Sequence, residues 1–151
     1  EAREYNTEAF KHIRDIETFF KEDFKAKLEE KFGHLWFKKG VPPQVAEKAH
    51  EMAFKKNLKI ENPDDEVKDW DCLTIIAYRA IALKSWRDLF EEEYTRPGDE
   101  KMSGGKEAKT QWMVKLEKLR NENFHQYSVT EEEFDFIESI HEWLILSNKK
   151  E

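Results

Sequence analysis

Along residues 6–37, Phe10, Ile13, Phe20, Phe24, Leu28, Phe32 and Leu35 recur at steps of three, four and seven, with Lys and Glu filling the intervals. At about 100° per residue such steps collect the apolar side chains on one stripe of a helix, whereas a strand would scatter them over both faces. The spacing predicts one long amphipathic helix, interrupted near Gly33. Gly40-Val41-Pro42-Pro43 ends any helix, because a proline pair removes two donors and pushes the preceding residue toward extended geometry. A second helix is expected over residues 44–56, with Val45, Ala49 and Met52 or Ala53 inward.

Asn62-Pro63-Asp64-Asp65 reads as a turn. Beyond it Trp70, Leu73, Ile76, Ala77, Ala80, Ile81, Leu89 and Phe90 predict a helix ending near Tyr94, read as the core helix. Residues 96–105 hold the one long turn-rich loop, and a loop of that length is either mobile or functional. Trp112, Leu116, Leu119 and Asn123 continue at helical spacing, which places Arg120 and Asn121 in or just past the last turns of a fourth helix. Thr130 with Glu133 three residues on is a capping-box signature. It opens a final helix with Phe134, Ile137, His141 and Leu144 on one face. No strand pattern or internal repeat emerges, so the expected fold is all-α, an up-and-down bundle of four to five helices in a single domain over residues 1–151.

Composition agrees. Of 151 residues 38% are hydrophobic and 13% aromatic, with 5 Gly and 4 Pro, a balance suited to packed helices. The single cysteine, Cys72, cannot form an internal disulfide, which points to a reducing compartment and a cytoplasmic address. No apolar run reaches the roughly 18–20 residues that span a bilayer, and Glu1-Ala2-Arg3-Glu4 is unlike a signal peptide. The opening Glu and the closing Lys149-Lys150-Glu151 are read as the ends of a piece cut from a longer polypeptide.

A net charge of −7 argues against a sequence-blind nucleic-acid binder, which would concentrate Lys and Arg. The charge is uneven, however. Residues 101–120 carry six basic and two acidic side chains, and residues 121–146 carry seven acidic and neither Lys nor Arg. Two solvated helix faces of opposite sign account for this pattern most simply.

Several motifs fail inspection. Gly104-Gly105-Lys106 lacks the upstream glycine of a phosphate loop, where Glu100 stands, and Glu107 replaces the magnesium-holding hydroxyl. His50-Glu51 and His141-Glu142 each begin a zinc-protease motif, but Phe54 and Ile145 occupy the second histidine positions. Cys72 reads as a buried small hydrophobe and His141 as a hydrogen-bonded core histidine. His12 and His34 read as single histidines on a charged helix with nothing to recruit them. No metal or cofactor is expected.

What remains is Leu119-Arg120-Asn121-Glu122-Asn123-Phe124-His125, which joins a permanent cation, an amide and a titratable imidazole ahead of a loop and a capped helix. Here the chain resembles the HEPN superfamily (higher eukaryotes and prokaryotes, nucleotide-binding), whose hallmark is an Arg, often followed by Asn, Asp or His, and then a His about five residues on. Arg120-Asn121 and His125 match it. Trp70-Asp71-Cys72-Leu73, the stretch from Trp86 to Phe90, a loop and a terminal amphipathic helix extend the resemblance over most of residues 35–146. It implies a metal-independent ribonuclease of a defence, toxin or RNA-processing system, with RNA as substrate, and usually a homodimer in which both motifs line one cleft.

The residue types suit that chemistry. RNA brings its own nucleophile, the 2′-hydroxyl, so the protein need only move protons and steady charge on phosphorus. His125, whose imidazole titrates near neutral pH, serves as general base or acid. Arg120 grips phosphate oxygens. Asn121 holds the imidazole or the backbone turn. On an ideal helix Arg120 and His125 stand about 140° apart, while Asn121 and His125 share a face. Convergence on one phosphate therefore calls for a bend or a dimer. Two other readings stay open: a catalytically silent HEPN module that binds nucleotide, RNA or a partner domain, and a helical scaffold without nucleotide chemistry.

Overall fold

The computed structural model describes residues 4–124 and 128–147. Its first element grows from the apolar stripe: α1 spans Asn6–Phe32 and buries Ala9, Ile13, Ile16, Phe20, Phe24 and Leu28. It stops at Gly33, whose φ of 63° lies where a Cβ would be strained. The helix expected to reach residue 37 is thus broken at the residue the sequence marked. A 3₁₀ turn, Gly33–Leu35, redirects the chain into the short α2, Trp36–Gly40. A Cβ on Gly40 would lie 2.5 Å from Cδ2 of the buried Leu28, so any larger residue at the end of α2 would have to displace that side chain.

Helix α3, Pro43–Asn57, starts on Pro43, whose fixed φ and missing N–H suit a first turn. It buries Ala49 and Ala53. At its end the Asn57 amide donates to the Val67 carbonyl at 2.9 Å and accepts from the Val67 N–H at 2.8 Å, closing the intervening loop. The 3₁₀ turn Asp69–Cys72 that follows packs against α3.

The single helix expected over residues 70–94 is divided. Thr74 has extended geometry and its Oγ accepts from the Ala77 N–H at 3.2 Å, so it caps a new helix, α4, Ile75–Lys84. A π-helical turn, Trp86–Phe90, then leads into α5, Glu91–Tyr94. Trp86, Phe90 and Tyr94 are buried at successive steps of four. On a regular helix each such step drifts about 40°, and the wider turn takes up the drift so that all three rings stay inward.

After the loop, α6 (Gly105–Lys109) and α7 (Gln111–Phe124) follow, the latter burying Trp112, Met113, Leu116 and Leu119. The last helix, α8, Glu131–His141, opens with the anticipated box: Thr130 Oγ1 accepts from the Glu133 N–H at 3.1 Å and the Thr130 N–H donates to Glu133 Oε1 at 2.9 Å. A second π-helical turn, Glu142–Leu146, ends it. Thr130→Ala is expected to cost about 1 kcal/mol, read as a lower urea midpoint with unchanged slope.

No strand occurs among the described residues, and the all-α class is as expected. The helical pieces outnumber the predicted four to five: five helices of ten residues or more are joined by short ones. The centre also differs from expectation. Helix α1, rather than the 70–94 segment, packs against α2, α4, α7 and α8. Its Phe20 and Phe24 meet Tyr78, Phe90, Tyr94 and Trp112 in one aromatic cluster. No helix among the described residues is long and apolar enough to cross a membrane.

Candidate functional site

Arg120 and Asn121 lie in the closing turns of α7, as the periodicity placed them. Asn121 is exposed. Arg120 faces the central helix, where its Nε donates to Glu17 Oε2 at 3.0 Å, with the two side chains 30% and 24% exposed. Burial raises the Glu17 pKa above the ordinary carboxylate value, and the Arg120 guanidinium opposes that rise without cancelling it. Arg120 is therefore the counter-ion of a half-buried carboxylate. No local signal marks Glu17, which lies 103 residues away in sequence. His125 lies outside the described residues.

The connection that carries His125 is anchored on both sides to α1. Arg120 holds Glu17 at its start, and at its end the Val129 N–H donates to Asn6 Oδ1 at 2.8 Å. Tyr5 stacks on Phe134 of α8 at 4.9 Å between centroids. With a rise of about 1.5 Å per residue, Asn6 and Glu17 stand about 16 Å apart along the helix axis. Arg120 and Val129, on either side of that connection, thus both meet the first half of α1.

Much of the basic charge of residues 101–120 is engaged within the fold. Lys106 Nζ donates to the Leu83 carbonyl at 3.1 Å, Lys109 pairs with Glu91 at 3.3 Å, and Lys115 sits over the Phe136 ring at 4.3 Å. Lys84, Arg87, Lys106 and Lys109 line a cleft of about 450 Å³ that also contains Asp88 and Glu91. The Gly104-Gly105-Lys106 sequence opens the five-residue α6 and forms no phosphate loop. Cys72 is buried as expected, and burial pushes its thiol pKa upward, away from nucleophilic use.

The histidines bring a correction. His141 is buried, and its Nε2 lies 3.0 Å from Asp15 Oδ2, as expected of a hydrogen-bonded core histidine. His12, however, is not isolated. Its ring lies against that of His141, with centroids 4.2 Å apart and planes at 33°. Both His12 nitrogens are buried, and neither has a hydrogen-bond partner among the described residues. Burial first, and the charge of His141 second, lower the His12 pKa.

Two groups of potential metal ligands share this ring: His12 with Asp15 and His141, and Glu8 with His12 and Glu138. Within each group the ligand atoms all lie within 4.8 Å of one another. A zinc-protease spacing does not reveal them, because such motifs are local while this cluster joins two helices at opposite ends of the chain. The only local trace is spacing: Glu8, His12 and Asp15 share one face of α1, and Glu138 and His141 one face of α8.

Comparison with protein-family models, with curated protein sequences and with solved structures gives no match. Fold and site together define the class, an all-α domain centred on one long helix, with an Arg-Asn pair closing the penultimate long helix.

Proposed function

We propose that this chain is a HEPN-type, metal-independent endoribonuclease domain, which cuts RNA by attack of the 2′-hydroxyl on the adjacent phosphodiester. One observation carries the reading. Arg120 and Asn121 close a helix packed on the central helix, directly ahead of the connection that bears His125 and of a capped terminal helix. That order of parts is what the resemblance implies.

In this mechanism His125 accepts the 2′-hydroxyl proton, the freed oxygen bonds to phosphorus, and the 5′-oxygen leaves with a proton from a second imidazole. The products are a 2′,3′-cyclic phosphate and a 5′-hydroxyl. A homodimer supplies the second imidazole. Arg120 steadies the charge on the phosphoryl oxygens, and Glu17 on Nε fixes the plane of its guanidinium. Asn121, four residues before His125, orients the ring.

The silent-module reading is favoured by a specific feature, the bond between Arg120 and the half-buried Glu17, which gives Arg120 a structural task of its own. Incubation of the chain with RNA in EDTA separates the two. A 2′,3′-cyclic phosphate end that disappears with His125→Ala supports catalysis. A requirement for added magnesium, or cleavage that survives both His125→Ala and Arg120→Ala, ends it.

A further inference from the structure

We propose that His12, Asp15 and His141 bind one divalent transition-metal ion of the zinc class, clamping the first helix to the last. Two imidazoles and one carboxylate form the mixed nitrogen and oxygen donor set that zinc and its neighbours prefer. Magnesium and calcium instead take shells of oxygen. Ligand atoms about 2.0–2.2 Å from a tetrahedral ion stand about 3.3–3.6 Å from one another. The three side chains already hold theirs within 4.8 Å, so small side-chain rotations close the site.

A second, independent observation points to a ligand. His12 carries one donor and one acceptor nitrogen, both buried and both without a hydrogen-bond partner among the described residues. A half-buried imidazole with both nitrogens shielded in that state loses their hydration without a hydrogen bond in return. Core packing alone would favour an apolar ring there, since the ring centroids of Phe134 and His141 lie 5.8 Å and 4.2 Å away. An ion bound to one nitrogen would satisfy it.

The surroundings suit a cation. Glu8 and Glu138 flank His12 and supply further negative charge around the ligands. Asp15, with its side chain 45% exposed, provides the entrance from solvent, whereas His141 closes the inner side at 9%. The proposal does not rest on the ribonuclease reading, since ion binding and RNA cleavage are measured separately.

The test uses the full chain, free of any affinity tag and stripped with chelator, titrated with Zn²⁺ and with Co²⁺. One equivalent is expected to bind, to raise the melting temperature by several degrees and, for Co²⁺, to produce visible absorption of a four-coordinate site. His12→Leu and Asp15→Asn are each expected to weaken Zn²⁺ binding by at least about 10–100-fold. His12→Leu should also raise the melting temperature of the metal-free chain, because it removes the unpartnered nitrogens. The proposal is overturned if no ion binds, if Mg²⁺ binds as tightly as Zn²⁺, or if both variants bind like the parent. Should His12→Leu fail to fold, the more exposed Asp15→Asn decides.

Discussion

His125→Ala is expected to slow RNA cleavage in EDTA by about 10²–10⁴-fold, the range associated with losing a positioned general acid or base. Arg120→Ala should lower the rate to a similar extent by removing the charge that steadies the phosphoryl oxygens. That variant carries a second effect. Without Arg120, the half-buried Glu17 loses the guanidinium it pairs with, and stability near neutral pH is expected to fall by about 1–3 kcal/mol.

The pH dependence separates the two effects. The Glu17 pKa is already raised in the folded chain, so its contribution to stability is fully present below the unfolded carboxylate pKa and is lost as pH rises through the folded one. Removing Arg120 raises the folded value further. The deficit of Arg120→Ala should therefore be largest near neutral pH and shrink in mild acid, which thermal melts at several pH values measure. The double variant Glu17→Gln/Arg120→Ala removes the uncompensated charge. Stability regained with cleavage still lost assigns Arg120 to the reaction, and cleavage regained along with stability leaves it a structural role alone.

Phe24→Ala is expected to cost about 3–5 kcal/mol, a large share of the roughly 5–15 kcal/mol that stabilises a typical domain. Phe24 is fully buried, and its ring lies 5.5 Å from Phe20, 5.1 Å from Tyr78, 4.5 Å from Phe90 and 5.0 Å from Tyr94. These neighbours come from α1, α4, the π-helical turn and α5, so no single side chain can fill the void without moving a helix. The measurement is urea unfolding followed by far-ultraviolet circular dichroism. Phe54, 59% exposed on α3, supplies the contrast, and Phe54→Ala should shift the midpoint little. A loss at Phe24 below about 1 kcal/mol would contradict the aromatic centre described above.

The helices were legible to different depths. The stripe on α1 and the Thr130–Glu133 box on α8 are short-range patterns, and both formed where the spacing placed them. The stretch over residues 70–94 misled, because its apolar period is nearly continuous across two breaks. The first break is the Thr74 cap, a single hydroxyl on one amide. The second is the π-helical turn, a change of register that keeps Trp86, Phe90 and Tyr94 inward and leaves no gap in the apolar pattern. Within the candidate site, the location of Arg120 and Asn121 at the end of a helix was readable, and the role of Glu17 was not.

By itself, then, the order of residues determined which segments coil, where glycine and proline stop them, and which faces are apolar, because hydrogen bonds and caps act over a few residues. Only tertiary structure decided that α1 lies at the centre, that Arg120 meets Glu17 and that His12 meets His141. Burial and Coulomb forces depend on distance through space, and side chains more than a hundred positions apart become neighbours only when whole helices pack.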